Sequence, residues 1–119
     1  MTDYNTISHV IPPVLDRITF LKGLRKGQIT IVKAYATWCK PCKDVSPLVD
    51  KLLSRMAPNV KIMYVDVDKS EDLTRYLQIK QLPTFISFVG QDKMDIQVGS
   101  DEDNVRSFFR KVEAYNLRK

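Results

Sequence analysis

The sequence predicts a single α/β domain: a central mixed β-sheet with a parallel core and an antiparallel C-terminal hairpin, flanked by about four helices. Three observations carry this expectation. Helix-like and strand-like hydrophobic patterns alternate along the chain, the order that layered α/β domains show. The run "QITIVKAYA" is almost continuously apolar and β-branched, as a strand covered on both faces requires. Two short strand-like runs, "PTFISFV" and "DIQV", are separated by Gly90-Gln91, which suits a hairpin turn. With 119 residues, 44% of them hydrophobic, the chain can bury one core without staples, so residues 1–119 read as one domain.

The elements follow in order. After "IPP", the apolar positions Val14, Leu15, Ile18, Leu21 and Leu24 repeat at helical spacing and predict a first helix. Pro13 suits its first turn, and Gly23 or Gly27 can end it. The segment Ile7 to Ile11 is compatible with a weak extra strand. Beyond the first central strand, Val45, Leu48, Val49, Leu52, Leu53 and Met56 mark one face of a long helix, with Pro47 inside it as a kink. "VKIMYVDV" is a second buried strand, and Ser70 is placed to cap a short helix through Leu77. After the hairpin, Ser100 and Asp103 stand at capping-box spacing. They open a last helix with Val105, Phe108, Phe109 and Val112 on one face.

The net charge is +5, but the lysines and arginines are spread out, and no RNA- or DNA-reading motif occurs, so a nucleic-acid partner is not expected. The start "MTDYNTISHVIPP" lacks the basic and apolar regions of a secretory signal. No apolar run approaches the roughly 20 residues of a membrane span. A cytoplasmic, reducing setting without membrane attachment is the expectation, and structural disulfides are rare there.

Against that background the stretch "ATWCKPCK" stands out, because Cys39 and Cys42 are the only cysteines. A zinc site needs four ligands, and the only other soft donor is His9, far upstream and expected at the surface, so no metal is expected. "DVDKSED" lacks the glycine and the final acid of a calcium loop, where Glu71 and Leu77 stand. Redox chemistry fits better. Cys39 falls at the strand-to-helix junction, where unsatisfied N–H groups and the helix dipole stabilise a thiolate. Cys42 follows one turn later on the same face, close enough to bridge, and Pro41 stiffens the turn. Cys39 is then the nucleophile, and Cys42 is the deeper, resolving thiol. Trp38 offers a flat apolar surface beside the pair, or else is a plain core residue.

These residues resemble the thioredoxin family, and the resemblance runs from about Ser8 to Tyr115. "WCKPCK" differs from the family's W-C-G-P-C-K only at Lys40; "SPLVDKL", "VDVDKSEDL", "LPTF" and "VGS" match further segments in order. The resemblance implies a thioredoxin fold, a Cys39–Cys42 disulfide couple, and reduction of protein disulfides. It implies no bound cofactor, protein disulfides as substrates, an external electron-donor reductase as partner, and a monomer. It also implies a substrate groove around Cys39 lined by Trp38, Lys40, Val67, Gln81, Leu82, Pro83, Val98 and Gly99. In it Leu82 would offer its backbone to an extended peptide, and Pro83 would be cis.

Two departures from the family pattern bear on the chemistry. Gln81 stands where glycine is common, which narrows or re-aims the groove. Lys33 occupies the position of the family's buried aspartate, and Tyr64 that of its lysine neighbour. Strand alternation puts Lys33 on the face of Ile31 and Tyr35, where a lysine must find a partner, reach a wet pocket, lose its proton, or snorkel to the sheet edge. As a possible pKa modulator it joins Lys40 in adding positive charge near the dithiol. Two rival functions therefore stand beside the reductase: a more oxidising oxidase or isomerase, and a non-catalytic binding module that uses the same fold.

Overall fold

The computed structural model describes residues 8–117. The elements run α1 (Arg17–Gly23), β1 (Ile29–Tyr35), α2 (Lys40–Leu53), β2 (Val60–Asp66), α3 (Glu71–Tyr76), β3 (Thr84–Val89), β4 (Asp92–Val98) and α4 (Glu102–Leu117). That is the alternation the hydrophobic pattern predicts. The strands form one mixed sheet in the order β2-β1-β3-β4. β1 and β2 are parallel, from Ile29 opposite Val60 to Tyr35 opposite Asp66. β3 runs antiparallel to both β1 and β4, so the antiparallel half reaches one strand further inward than the hairpin itself.

β1 is buried on both faces because helices cover both sides of the sheet. Ile29 and Ile31 join Val45, Val49 and Leu53 of α2 and Val105, Phe109 and Val112 of α4 in one core. Val32, on the opposite face, packs with Phe20, Leu24, Leu73 and Leu77 in the other. Strand alternation sorts the two sets, and Lys33 falls on the face of α2. There the helix carrying the cysteines is held by apolar contacts along Val45, Leu48 and Val49.

Several local expectations are corrected. The first helix starts at Arg17, not at Pro13, because Asp16 takes the N-cap and accepts from the Thr19 N–H at 2.8 Å. That start turns Leu15 and Ile18 to solvent and buries Phe20, which the periodicity reading had not selected. Ser70 holds the N-cap position of α3 without a side-chain cap bond. At α4 it is Asp101, not the Ser100–Asp103 pair, whose carboxylate takes the Asn104 N–H at 3.0 Å. His9 is buried rather than at the surface, with Nδ1 2.7 Å from the Val60 carbonyl oxygen. Of the segment Ile7 to Ile11, Ile7 lies outside the described residues, and Val10 makes a single parallel bridge to Ile62.

Candidate active site

The two cysteines sit where β1 gives way to α2. The Cys39 N–H donates to the Ala36 carbonyl at 3.1 Å, closing a tight turn after the strand. Cys39 is the N-cap of α2, and its sulfur accepts the Cys42 N–H at 3.3 Å. One of the donors that every helix start leaves unsatisfied is thus aimed at Sγ of Cys39. Pro41, within the first turn, has no N–H to waste there. The Cα atoms of Cys39 and Cys42 are 5.4 Å apart and their sulfurs are joined in a disulfide.

Residue burial does not separate the two, since Cys39 is 5% and Cys42 3% exposed. What separates them is which surface each sulfur-bearing residue lines. Cys39 belongs to a groove of about 630 Å³ with Trp38, Lys40, Pro41, Val67, Gln81 and Leu82. Cys42 belongs to a second cavity of about 540 Å³, with Lys33, Tyr35, Thr37, Lys43, Ser46 and Tyr64. One opening serves each cysteine.

Most residues expected around Cys39 are therefore brought together. Trp38 is 70% exposed, so it is not a core residue, and its indole N–H donates to Asp68 at 2.9 Å. Leu82 and Val67 pack against the cysteine pair. The Leu82–Pro83 bond is cis. Pro83 is buried and its carbonyl accepts the Gly99 N–H at 2.8 Å, while Val98 pairs with Thr84. Pro83, Val98 and Gly99 thus adjoin one another next to Leu82 and are not among the residues lining the groove. Thr74, Ile79 and Lys80 do line it and were not anticipated. Thr74 lies on α3 itself, whereas Ile79 and Lys80 arrive through the reversal after it, where Gln78 takes the left-handed φ of 58°, a turn that no glycine announces in the sequence.

Lys33 is 2% exposed and does not snorkel to the sheet edge. Its Nζ donates to the Cys42 carbonyl at 3.1 Å and to Ser46 Oγ at 2.9 Å. The ammonium also lies 5.8 Å from the ring centre of Tyr64 and 6.0 Å from that of Phe85, within cation–π range. Tyr64 is there because the sheet register sets it directly opposite Lys33. Burial pushes the Lys33 pKa down to about 8, against a smaller upward pull from Asp50. Burial, helped by Asp50, pushes the Tyr64 hydroxyl up to about 12. Among the described residues no group of three His, Cys, Asp or Glu side chains could hold a metal ion. No helix among them is long and apolar enough to cross a membrane.

Comparison with known proteins places this geometry in context. The family model described as Thioredoxin matches residues 12–111. A thioredoxin of Coprinus comatus is 33% identical over 93 residues, covering 77% of this chain and 88% of the relative. Thioredoxin-T of Drosophila melanogaster is 30% identical over 88 residues, covering 74% of this chain but 56% of that longer relative. The solved structure of Schistosoma mansoni thioredoxin superposes with a TM-score of 0.75 at 30% identity, covering 88% of this chain and 96% of the other.

Proposed function

The chain belongs to the thioredoxin family, and from that premise we propose that it reduces protein disulfides through Cys39 and Cys42. The observation that carries this is the Cys42 N–H aimed at Sγ of Cys39, on a cysteine that faces a groove. In the reduced protein that donor and the helix start favour a thiolate on Cys39. The Cys39 thiolate attacks one sulfur of a substrate disulfide, the substrate S–S bond breaks, and the other substrate sulfur leaves as a thiolate that takes up a proton. Cys42 then gives up its proton and attacks Sγ of Cys39. The mixed disulfide breaks, the second substrate thiol is released, and the Cys39–Cys42 disulfide remains. Two electrons have passed from the dithiol to the substrate.

A protein reductase that delivers two electrons and two protons closes the cycle, and no bound cofactor enters it. Trp38, Lys40, Gln81 and Leu82 hold the substrate segment, with the Leu82 backbone offered to an extended peptide. Pro83, Val98 and Gly99 shape the wall behind it. Lys33 acts on Cys42 through charge and through the bond to its carbonyl. A monomer working in a reducing, cytoplasmic compartment fits this chemistry. The binding-module reading is not favoured, since the dithiol and its groove are both intact. The oxidase or isomerase reading is not favoured by the likeness to thioredoxins.

The test is turnover of insulin disulfides with a chemical or enzymatic electron donor. Native protein should turn over, Cys39→Ser should be inactive, and Cys42→Ser should accumulate a mixed disulfide on Cys39. No turnover from any donor, with both thiols free and the fold intact, would sink the reading.

A further inference from the structure

The cavity that Cys42 lines has a volume of about 540 Å³, the size of a small-molecule site, and no acidic side chain in its lining. Lys33 is buried against it. The Cys42 carbonyl, Ser46 Oγ and the Tyr64 ring all surround Nζ, and all three residues line the cavity. The ammonium therefore sits at the cavity wall rather than in the packed core beyond it.

Both hydrogen-bond acceptors of Nζ are neutral, one a carbonyl and the other a hydroxyl. An ammonium has three N–H donors, so a third bond can still be made. A charge taken out of water needs more than neutral acceptors to balance it. Asp50 is the carboxylate that acts on Lys33, but it is exposed and its pull does not offset the burial. Lys43, also in the lining and exposed, adds a second positive charge. Tyr35, Ala36 and Tyr64 supply apolar wall around these cations.

We propose that this cavity binds a small organic carboxylate, which accepts from the Lys33 ammonium and lays its apolar body against Tyr35, Ala36 and Tyr64. The groove beside Cys39 stays open when it does, because the two surfaces share no lining residue. A carboxylate there offsets the charge of Lys33 next to Cys42. It therefore shifts the couple in the more reducing direction.

The experiment titrates the oxidised protein with benzoate, and separately with uncharged benzamide, followed by amide NMR. Benzoate should bind with a Kd of about 1 mM, ordinary for so small a ligand. Benzamide should bind about tenfold more weakly, the difference made by one charge-assisted bond. The amides of Ala36, Cys42, Lys43 and Ser46 should shift, and those of Trp38, Gln81 and Leu82 should not. Affinity should fall as pH rises through about 8, where Lys33 loses its proton while benzoate stays ionised.

The other titratable groups around Lys33 are Asp50 and Lys43 on α2, Tyr35 on its own strand and Tyr64 on β2. Tyr64 keeps its proton up to about 12, and a pH drop that persists in Lys43→Gln assigns the effect to Lys33. Lys33→Met, shown to be folded by its melting transition, should bind benzoate no better than benzamide. In glutathione equilibration, saturating benzoate should make the native couple more reducing and leave that of Lys33→Met unmoved. Equal affinity for the two probes in native protein overturns the proposal and leaves a cavity that merely hydrates the lysine. So does an affinity that stays flat across about pH 8, or shifts confined to Trp38, Gln81 and Leu82. None of these readouts uses turnover, so the reductase reading stands or falls separately.

Discussion

Lys33 donates to the carbonyl oxygen of Cys42 at 3.1 Å and so fixes an ammonium beneath the first turn of α2. A positive charge there stabilises a thiolate on the dithiol, hence the reduced form, and makes the couple more oxidising. Lys33→Met keeps the apolar stem and removes the charge. The potential at pH 7 should move by about 10–20 mV toward a more reducing couple, a shift too small to turn a reductase into an oxidase. Equilibration against glutathione buffers measures it. A potential that stays put would mean the charge is screened from both sulfurs.

In the reduced protein, iodoacetamide should modify Cys39 well before Cys42. Burial gives no reason to expect this, as the two are nearly equally covered. The reason is that Cys39 receives the Cys42 N–H and lines the open groove. Mass mapping of the labelled peptides reads the order, and labelling of Cys42 first would relocate the helix-start effect.

Trp38→Ala should weaken substrate binding and leave the fold intact. The ring is largely exposed and its one hydrogen bond goes to Asp68 at the surface, so stability should change by no more than about 0.5 kcal/mol. KM for a protein disulfide should rise several-fold. A large drop in melting temperature with unchanged KM would make Trp38 structural.

Phe20→Ala should cost about 3–5 kcal/mol, the usual range for a fully buried phenylalanine. Phe20 packs edge-on to Phe88 with ring centres 5.2 Å apart and anchors α1 to the sheet. Urea denaturation gives the value, whereas a loss as small as that of a surface substitution would contradict its burial.

The sheet and its helices were legible because hydrophobic periodicity is set by which side of the sheet a residue must face. The dithiol was legible because its two residues are neighbours in sequence on one helical turn. What depended on distant partners was not. Phe20 was missed because Asp16 set the start of α1, and seven helical residues are too few for periodicity to choose a face. Burial of His9 depends on the Val60 carbonyl, which lies across the sheet edge. Lys33 could be placed on a face, but its acceptors come from α2, whose rotation over the sheet is fixed by Val45 and Val49. Ile79 and Lys80 reached the groove through the backbone of Gln78, which side-chain chemistry does not signal.

Stability should rise with pH above neutrality because of Lys33, and the sign follows from its pKa. The folded value is about 8, against 10.5 for an unperturbed lysine, and burial is the main cause. Below about pH 8 the ammonium is present in both states, so its burial cost is carried in full. Between about pH 8 and 10.5 the unfolded chain holds a proton that the folded protein has lost, and stability increases with pH. The full swing is about 3 kcal/mol. Tyr64 acts in the opposite sense from about pH 10 upward, because its folded value near 12 keeps a proton that the unfolded chain gives up. The clean window is therefore pH 8 to 10. Urea unfolding of native protein and Lys33→Met across that window separates charge from contact. Loss of the bonds to Cys42 and Ser46 is an offset that pH leaves alone, whereas relief of the buried charge appears only as a slope. Native stability should climb relative to the variant by more than about 1 kcal/mol from pH 8 to 10. Parallel curves would mean that Lys33 titrates alike in both states, with its charge compensated inside the fold.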